Sequence, residues 1–364
     1  MAIDRPVPKS PAQRPGPARA LPCSWEGPFV ASRVATLFGP ALVLLALVLG
    51  CGGPAGPELW IYTSLYQSTL DSLVPQVDRA LPGVAVHWYK AGSEEVAARV
   101  TAELAAGAAR ADVVMTADAF WYESLKQEGH LDRLPDDVLN AVPPRFRDPE
   151  GRYLVNRAAV MVMAFNRKLI PPDRAPRRFK DLASSEWKGK LAIGDPLKSG
   201  THFVTVALLS RRYGWDYYKA LRANGTIVEG GNSAIQRRVE VGDRPVGVLL
   251  YENLLKARTT RSPAQVVIPE DGAIVIPAPI AISAGSRQIE QARRFCRYML
   301  GPQGQQAMAD GYMYPTVEGA AGPVGGVAFQ ELLKTGLCPD AGQIKEIAAT
   351  SEEIKETFVK VMFE

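Results

Sequence analysis

The sequence predicts an α/β protein of two lobes, each a mostly parallel sheet flanked by helices, with two crossover strands as the hinge. Three observations carry this. From Glu58 onward, short apolar runs alternate with amphipathic stretches of helical spacing, the rhythm of βαβ units. Two apolar runs, Tyr153–Phe165 and Ala273–Ser283, are too long for ordinary strands and read as crossovers. A second alternating series lies between them.

In chain order, Leu59–Tyr62 is a strand and about Gln67 to Leu81 a helix. Val84–Tyr89 is a second strand, Glu94–Ala109 a second helix, Asp112–Met115 a third strand and Phe120–Gln127 a helix. The second series starts at Leu191–Gly194, with helices near Phe203–Tyr213 and Ala234–Val241 and a strand at Val246–Leu250. The tail is helical from Gln288, with Gln288–Leu300, Gln303–Asp310 and further helices to the end. The crossovers assign residues 58–155 plus 276–364 to a discontinuous first lobe and 156–275 to an inserted second one. A ligand then belongs in the cleft between lobes, beyond the carboxyl ends of the strands.

The first 50 residues have the layout of a signal peptide. Residues 1–33 hold seven prolines and five basic residues, and an uncharged run from Val34 to Gly50 ends at Cys51. A run of 17 residues broken by Pro40 is short of the roughly 20 a spanning helix needs. Val48-Leu49-Gly50-Cys51 resembles a lipobox, in which the cysteine is acylated and becomes the first mature residue, with 51–57 as tether. The expected location is therefore exported, on the periplasmic or cell-surface side, with the lipid on Cys51 holding the protein to a membrane. After removal of Cys23 with the signal, Cys296 and Cys338 remain. In an oxidising compartment they could pair, but Cys296 lies mid-helix, where a buried free thiol is as natural.

The chain has 364 residues and a net charge of +4, of which three belong to the first 50. A nearly neutral remainder excludes an electrostatic footprint for nucleic acid. No phosphate-binding glycine loop, dinucleotide fingerprint, nucleophile elbow, Cys-x-x-Cys or His-Glu-x-x-His is present. The expectation is a monomer that is not an enzyme and carries no cofactor.

The informative positions are the turns that follow strands. Thr63 and Ser64 follow the first strand, Gly92 and Ser93 the second, Thr116 and Asp118 the third. In the second series Asp195-Pro-Leu-Lys-Ser-Gly-Thr201 separates a strand from a helix, and Gly230-Gly-Asn-Ser233 opens another. Each places hydroxyls and free backbone N–H groups at a helix N-terminus, a ready anion site. The plainer reading makes Ser93, Ser199 and Ser233 N-caps; their recurrence along one sheet edge favours a binding cleft. Tyr251, followed by Glu252 and Asn253, is a further candidate. Tyr62, Tyr66, Trp121 and Tyr251 could cover a ligand or pack in the core, and Lys198 could offer a charge to an anion. His87 is read as structural.

These segments, with Pro277–Gly285, Gln291–Leu300, Gly301–Gln306 and Tyr314-Pro315, make residues 58–315 resemble the type II periplasmic solute-binding proteins of ABC transporters. That group includes ferric-ion, phosphonate and sugar-phosphate binders. The resemblance implies a small solute, closure of the lobes around it and delivery to an ABC permease. Ferric binders use two adjacent tyrosines after the strand matched by Val246–Leu250. Here Tyr251 is followed by Glu252, so a metal site would rest on Tyr251 and Glu252. Ser199, Gly200, Thr201, Asn232 and Ser233 suit an oxyanion better, and an organophosphate or phosphonate is ranked first. The alternatives are a ferric-ion binder and a bilobal sensor partner.

Overall fold

The computed structural model describes residues 56–364. The signal segment, Cys23 and the lipidation candidate Cys51 lie outside the described residues. No helix among the described residues is long and apolar enough to cross a membrane.

Strands β1 (Glu58–Thr63), β2 (Ala85–Lys90) and β3 (Val113–Met115) pair in parallel, with β1 in the middle. Their connections are α1 (Gln67–Ala80) and α2 (Ser93–Ala105), and α3 (Ala119–Gln127) follows β3. In β1, Leu59 and Ile61 enter one apolar cluster while Trp60 and Tyr62 pack in another. A strand buried on both faces is what helices on both sides of a sheet produce. Helix α1 turns Leu70, Leu73 and Val77 onto the Leu59 side, an i, i+3, i+7 stripe.

A short helix α4 (Asp136–Leu139) leads into the first long strand, β4 (Leu154–Asn166), buried at every position. The second series holds β5 (Leu191–Ile193), α5 (Gly200–Tyr213), α6 (Trp215–Ala223), β6 (Ile227–Val228), α7 (Asn232–Val241), β7 (Val246–Leu250), α8 (Tyr251–Arg258) and β8 (Ala264–Val267). The second long strand is β9 (Ile274–Ile282), followed by α9 (Ile289–Leu300), α10 (Pro302–Asp310), β10 (Tyr314–Pro315), α11 (Phe329–Thr335), α12 (Ala341–Ala349) and α13 (Ser351–Phe363).

The strands join in the order β2-β1-β3-β9-β4-β7-β5-β6, with β8 and β10 also paired to β4. The ends are parallel, as expected. The middle is not: β3–β9, β9–β4 and β4–β7 are antiparallel. The two long strands pair with each other and with a strand from each half, and so carry the chain between halves. Alternate residues of β4 face opposite clusters. Met161, Met163 and Phe165 pack on one side, Val160, Val162 and Ala164 on the other.

The tail departs from its assignment to the first lobe. Helix α12 packs on α3, but α13 packs on α5 and α6 of the second series. Phe358 and Met362 share a cluster with Phe203 and Tyr218. Lys355 on α13 also reaches Glu94 on α2 at 2.9 Å. An amphipathic terminal helix goes wherever an apolar face is left uncovered, and here that face belongs to α5 and α6.

The cysteine pair is not formed. Cys296, buried beside Phe295 and Met299, and Cys338, half-buried at the edge of a different cluster, are both free thiols.

Candidate functional site

Where the two series meet, a cavity of about 350 Å³ opens among helix N-termini. Helix α2 begins with Gly92 and Ser93, α5 with Ser199, Gly200 and Thr201, and α7 with Gly231, Asn232 and Ser233; all eight residues line the cavity. Ser64 and Tyr66, just before α1, line it from the first series, and Glu252 of α8 from the second. Each helix start carries N–H groups without an intrahelical partner and the positive end of a dipole. Three helices of 13, 14 and 10 residues converging on one space make it an anion-binding environment.

The hydroxyls here are not helix caps. None of α2, α5 and α7 has a side-chain cap at its N-terminus. By contrast, Asp118 caps α3 conventionally, accepting from the N–H groups of Phe120 and Trp121. The Ser93 Oγ accepts from the Ala117 N–H at 3.3 Å, leaving its own proton free to donate. Asn232 ties two elements together. Its Nδ2 donates to Thr201 Oγ1 at 2.9 Å, and its Oδ1 accepts from the Leu250 N–H at 3.1 Å. Thr201 Oγ1 in turn lies 3.1 Å from Ser199 Oγ. His202 is buried behind this network, its Nδ1 accepting from the Gly194 N–H. Burial pushes its imidazole down to about 3, so it is neutral at working pH.

The dominant charge is Arg157, which the sequence reading passed over. It lines the cavity from β4, is 2% exposed, and donates to Asn156 Oδ1. No carboxylate among the described residues lies within 4 Å of its guanidinium. Burial lowers its pKa to about 10, which leaves it cationic at neutral pH. The β4–β9 register shifts between Val155 and Arg157. A bulge re-aims side chains, and this one precedes Arg157 and Ala159, which both face the cavity. The signal was a charge inside a largely apolar strand, which is costly to bury unless it is met by a partner.

Four sequence candidates do not line the cavity. Thr63 Oγ1 donates to the Met115 carbonyl at 2.9 Å and accepts from the Leu65 N–H, fixing the turn. Thr116 is fully buried, its N–H donating to the Tyr122 hydroxyl. Asp118 is the α3 cap, its pKa raised by burial and then by Glu94. Tyr251 turns into the cluster with Leu254 and Tyr314 on the other side of the sheet, so the Tyr251–Glu252 metal pair is not assembled. Successive helix residues point about 100° apart, and here that step puts Glu252 on the cavity and Tyr251 in the cluster behind it. Among the aromatics only Tyr66 lines the cavity; Tyr62 donates to Glu103 and Trp121 packs on Tyr122. Lys198 stands at the rim, mostly exposed, 3.5 Å from Asp195. No group of three or more His, Cys, Asp or Glu side chains among the described residues is placed to hold a metal.

A second cavity of about 500 Å³ adjoins the first, with Tyr66, Ser233 and Glu252 lining both. Across this junction the Tyr66 hydroxyl donates to Asn253 Oδ1 at 3.0 Å, linking the first series to α8.

A fold of two sheet ends joined by long antiparallel strands, with an anion-suited cavity at the join, is that of a type II periplasmic binding protein. Residues 109–324 match the family described as bacterial extracellular solute-binding protein, and the chain belongs to that family. The family implies a small-molecule solute and an ABC permease as partner. The chain is 24% identical over 306 residues to the Fe(3+)-binding periplasmic protein of Serratia marcescens, covering 79% of this chain and 88% of that one. It is also 24% identical over 216 residues to the phosphoglycerate transport regulatory protein PgtC of Salmonella typhimurium, covering 56% of this chain and 53% of that one. Among solved structures, iron-bound HitA of Pseudomonas aeruginosa superposes with a TM-score of 0.74 at 21% identity, over 83% of this chain and 99% of that one. AfuA of Actinobacillus pleuropneumoniae with fructose-6-phosphate gives 0.72 at 21% identity, over 84% and 97%. At these identities the structures establish the fold.

Proposed function

We propose that the protein captures a small anionic solute of the organophosphate or phosphonate class and delivers it to an ABC permease, held at the membrane by a lipid on Cys51. The observation that carries this is Arg157: a buried guanidinium facing a cavity edged by Ser64, Ser93, Ser199 and Ser233 and three helix N-termini. A guanidinium in that setting offers paired donors to a phosphoryl group, and the hydroxyls and N–H groups take the remaining oxygens. Capture closes the cleft by movement about the long strands β4 and β9.

Isothermal titration with inorganic phosphate and short alkylphosphonates tests the reading. The purified protein should bind at least one of them. Arg157→Ala should weaken it about 30-fold or more, the scale of a lost charged hydrogen bond of roughly 2 kcal/mol. Ser199→Ala with Thr201→Ala should weaken it further. Binding that is indifferent to Arg157 rejects the assignment.

A second reading has one observation behind it. Tyr66 and Glu252 line the same cavities, a phenol and a carboxylate such as a ferric ion accepts, and a relative is named for Fe(3+). Titration with ferric citrate would then raise a visible tyrosinate band that Tyr66→Phe abolishes.

A further inference from the structure

Arg157 is half of an unusual pair. Glu252 also lines the cavity, is 8% exposed, and its Oε2 is buried with no hydrogen-bond partner. It stands at the junction with the second cavity. The two groups are close enough for Arg157 to act on Glu252, yet they form no ion pair. An acid and a base that share a buried space without pairing each leave a charge to be met from elsewhere. A purely anionic solute satisfies Arg157 and is repelled by an ionised Glu252. A solute with a positive end satisfies both, and its net charge matches that of the two side chains together.

Resting on the anionic-solute reading, we infer that the solute is zwitterionic, its phosphoryl end on Arg157 and a primary ammonium on Glu252, at the mouth of the second cavity. Arg157 and the helix N-termini select the anion, and Glu252 selects amino-bearing solutes over their alkyl counterparts. The groups around Glu252 are few. Arg157 faces it from β4 and Tyr66 from the first series, while Lys256 on its own helix and Asp310 line the second cavity. Burial pushes the Glu252 carboxyl up to about 7, the state expected of an acid still lacking its cation.

The test uses two matched series: methyl-, ethyl- and propylphosphonate, and aminomethyl-, 2-aminoethyl- and 3-aminopropylphosphonate. Each is titrated calorimetrically into the purified protein and into Glu252→Gln. At least one amino compound should bind wild type about tenfold or more tightly than its alkyl partner, and Glu252→Gln should erase that advantage while still binding the alkyl compound. A second readout is the proton exchanged on binding, compared between wild type and Glu252→Gln for the same ligand. At pH 7, in buffers of different ionisation heat, an amino compound should release more protons on binding wild type than on binding Glu252→Gln, the difference being the proton Glu252 loses. An alkyl compound should release fewer from wild type than from the variant. Alkylphosphonates binding as tightly as amino ones, or an amino advantage that survives Glu252→Gln, overturns the inference and leaves the anionic reading standing. If neither series binds, the anionic reading fails with it.

Discussion

A β-carbon added at Gly200 would lie 2.8 Å from Ser93 Cβ and 3.1 Å from Asp118 Cβ. Gly200 opens α5 of the second series, and the other two residues belong to the first. The two halves therefore meet at a point where only a hydrogen fits. Next to it, a β-carbon at Gly92 would stand 3.1 Å from the Lys198 carbonyl oxygen. These contacts draw Ser93 and Ser199 around a common space, and a prediction follows from each part of that arrangement.

Gly200→Ala should wedge the cleft. Helix propensity favours alanine, so the fold should survive. Affinity for the solute should fall about tenfold, corresponding to 1.4 kcal/mol withheld from closure. Small-angle scattering with saturating solute should give a larger radius of gyration than wild type. Identical scattering and affinity would show that this contact does not limit closure.

Asn232→Ala should cost both stability and binding. It leaves the buried Leu250 N–H without an acceptor, a loss of about 1–3 kcal/mol. It also frees Thr201 to rotate. Urea unfolding should report the first effect and titration the second. An unchanged midpoint would mean that solvent replaces Asn232 Oδ1.

Two buried groups give stability opposite dependences on pH. For His202 the folded pKa, about 3, lies below the ordinary value of 6.5. The unfolded chain takes up its proton first, so this contribution is present above 6.5 and is lost as pH falls toward 3, at no more than about 1.4 kcal/mol per pH unit. His202→Gln should shrink the loss of stability between pH 7 and 5. For Glu252 the folded value, about 7, lies above the ordinary 4.5. Its contribution is present below 4.5 and is lost as pH rises through 7, so Glu252→Gln should gain stability over wild type at pH 8 but not at pH 4. Thermal unfolding of both variants across pH 4–8 checks the two signs separately.

Lys355→Met should loosen the terminal helix. It strands Glu94, whose carboxylate is largely buried and whose pKa is already raised by burial. The cost should be about 2 kcal/mol, below the 3–5 of a fully buried pair. Pairing it with Glu94→Gln should recover most of that. A double variant no more stable than Lys355→Met alone would mean that α13 is held by Phe358 and Met362 without help from the charge.

The succession of strands and helices was legible in the residues because it depends on local patterns. Val246–Leu250 is a strand by its unbroken apolar run, and Ile289–Leu300 a helix by Ala292, Phe295, Cys296 and Met299 on one face. Part of the candidate site's lining was legible too. The Ser93, Ser199–Thr201 and Asn232–Ser233 turns follow strands, and topology sends such turns to one edge.

What the sequence could not decide was direction and distance. It marks β4 as long and apolar, but not that it runs antiparallel to both neighbours, nor that a bulge turns Arg157 into the cleft. It places Tyr251 and Glu252 side by side, but the helical step of about 100° between them sends one into the core and the other toward the cavity. It displays α13 as amphipathic without naming the face it covers. By itself the sequence determined which segments become strands, helices and N-terminal turns, since those follow from period and turn chemistry within a few residues. The tertiary structure alone decided which charges share a cavity, because Arg157 and Glu252, 95 positions apart, meet only when β4 and β7 pair.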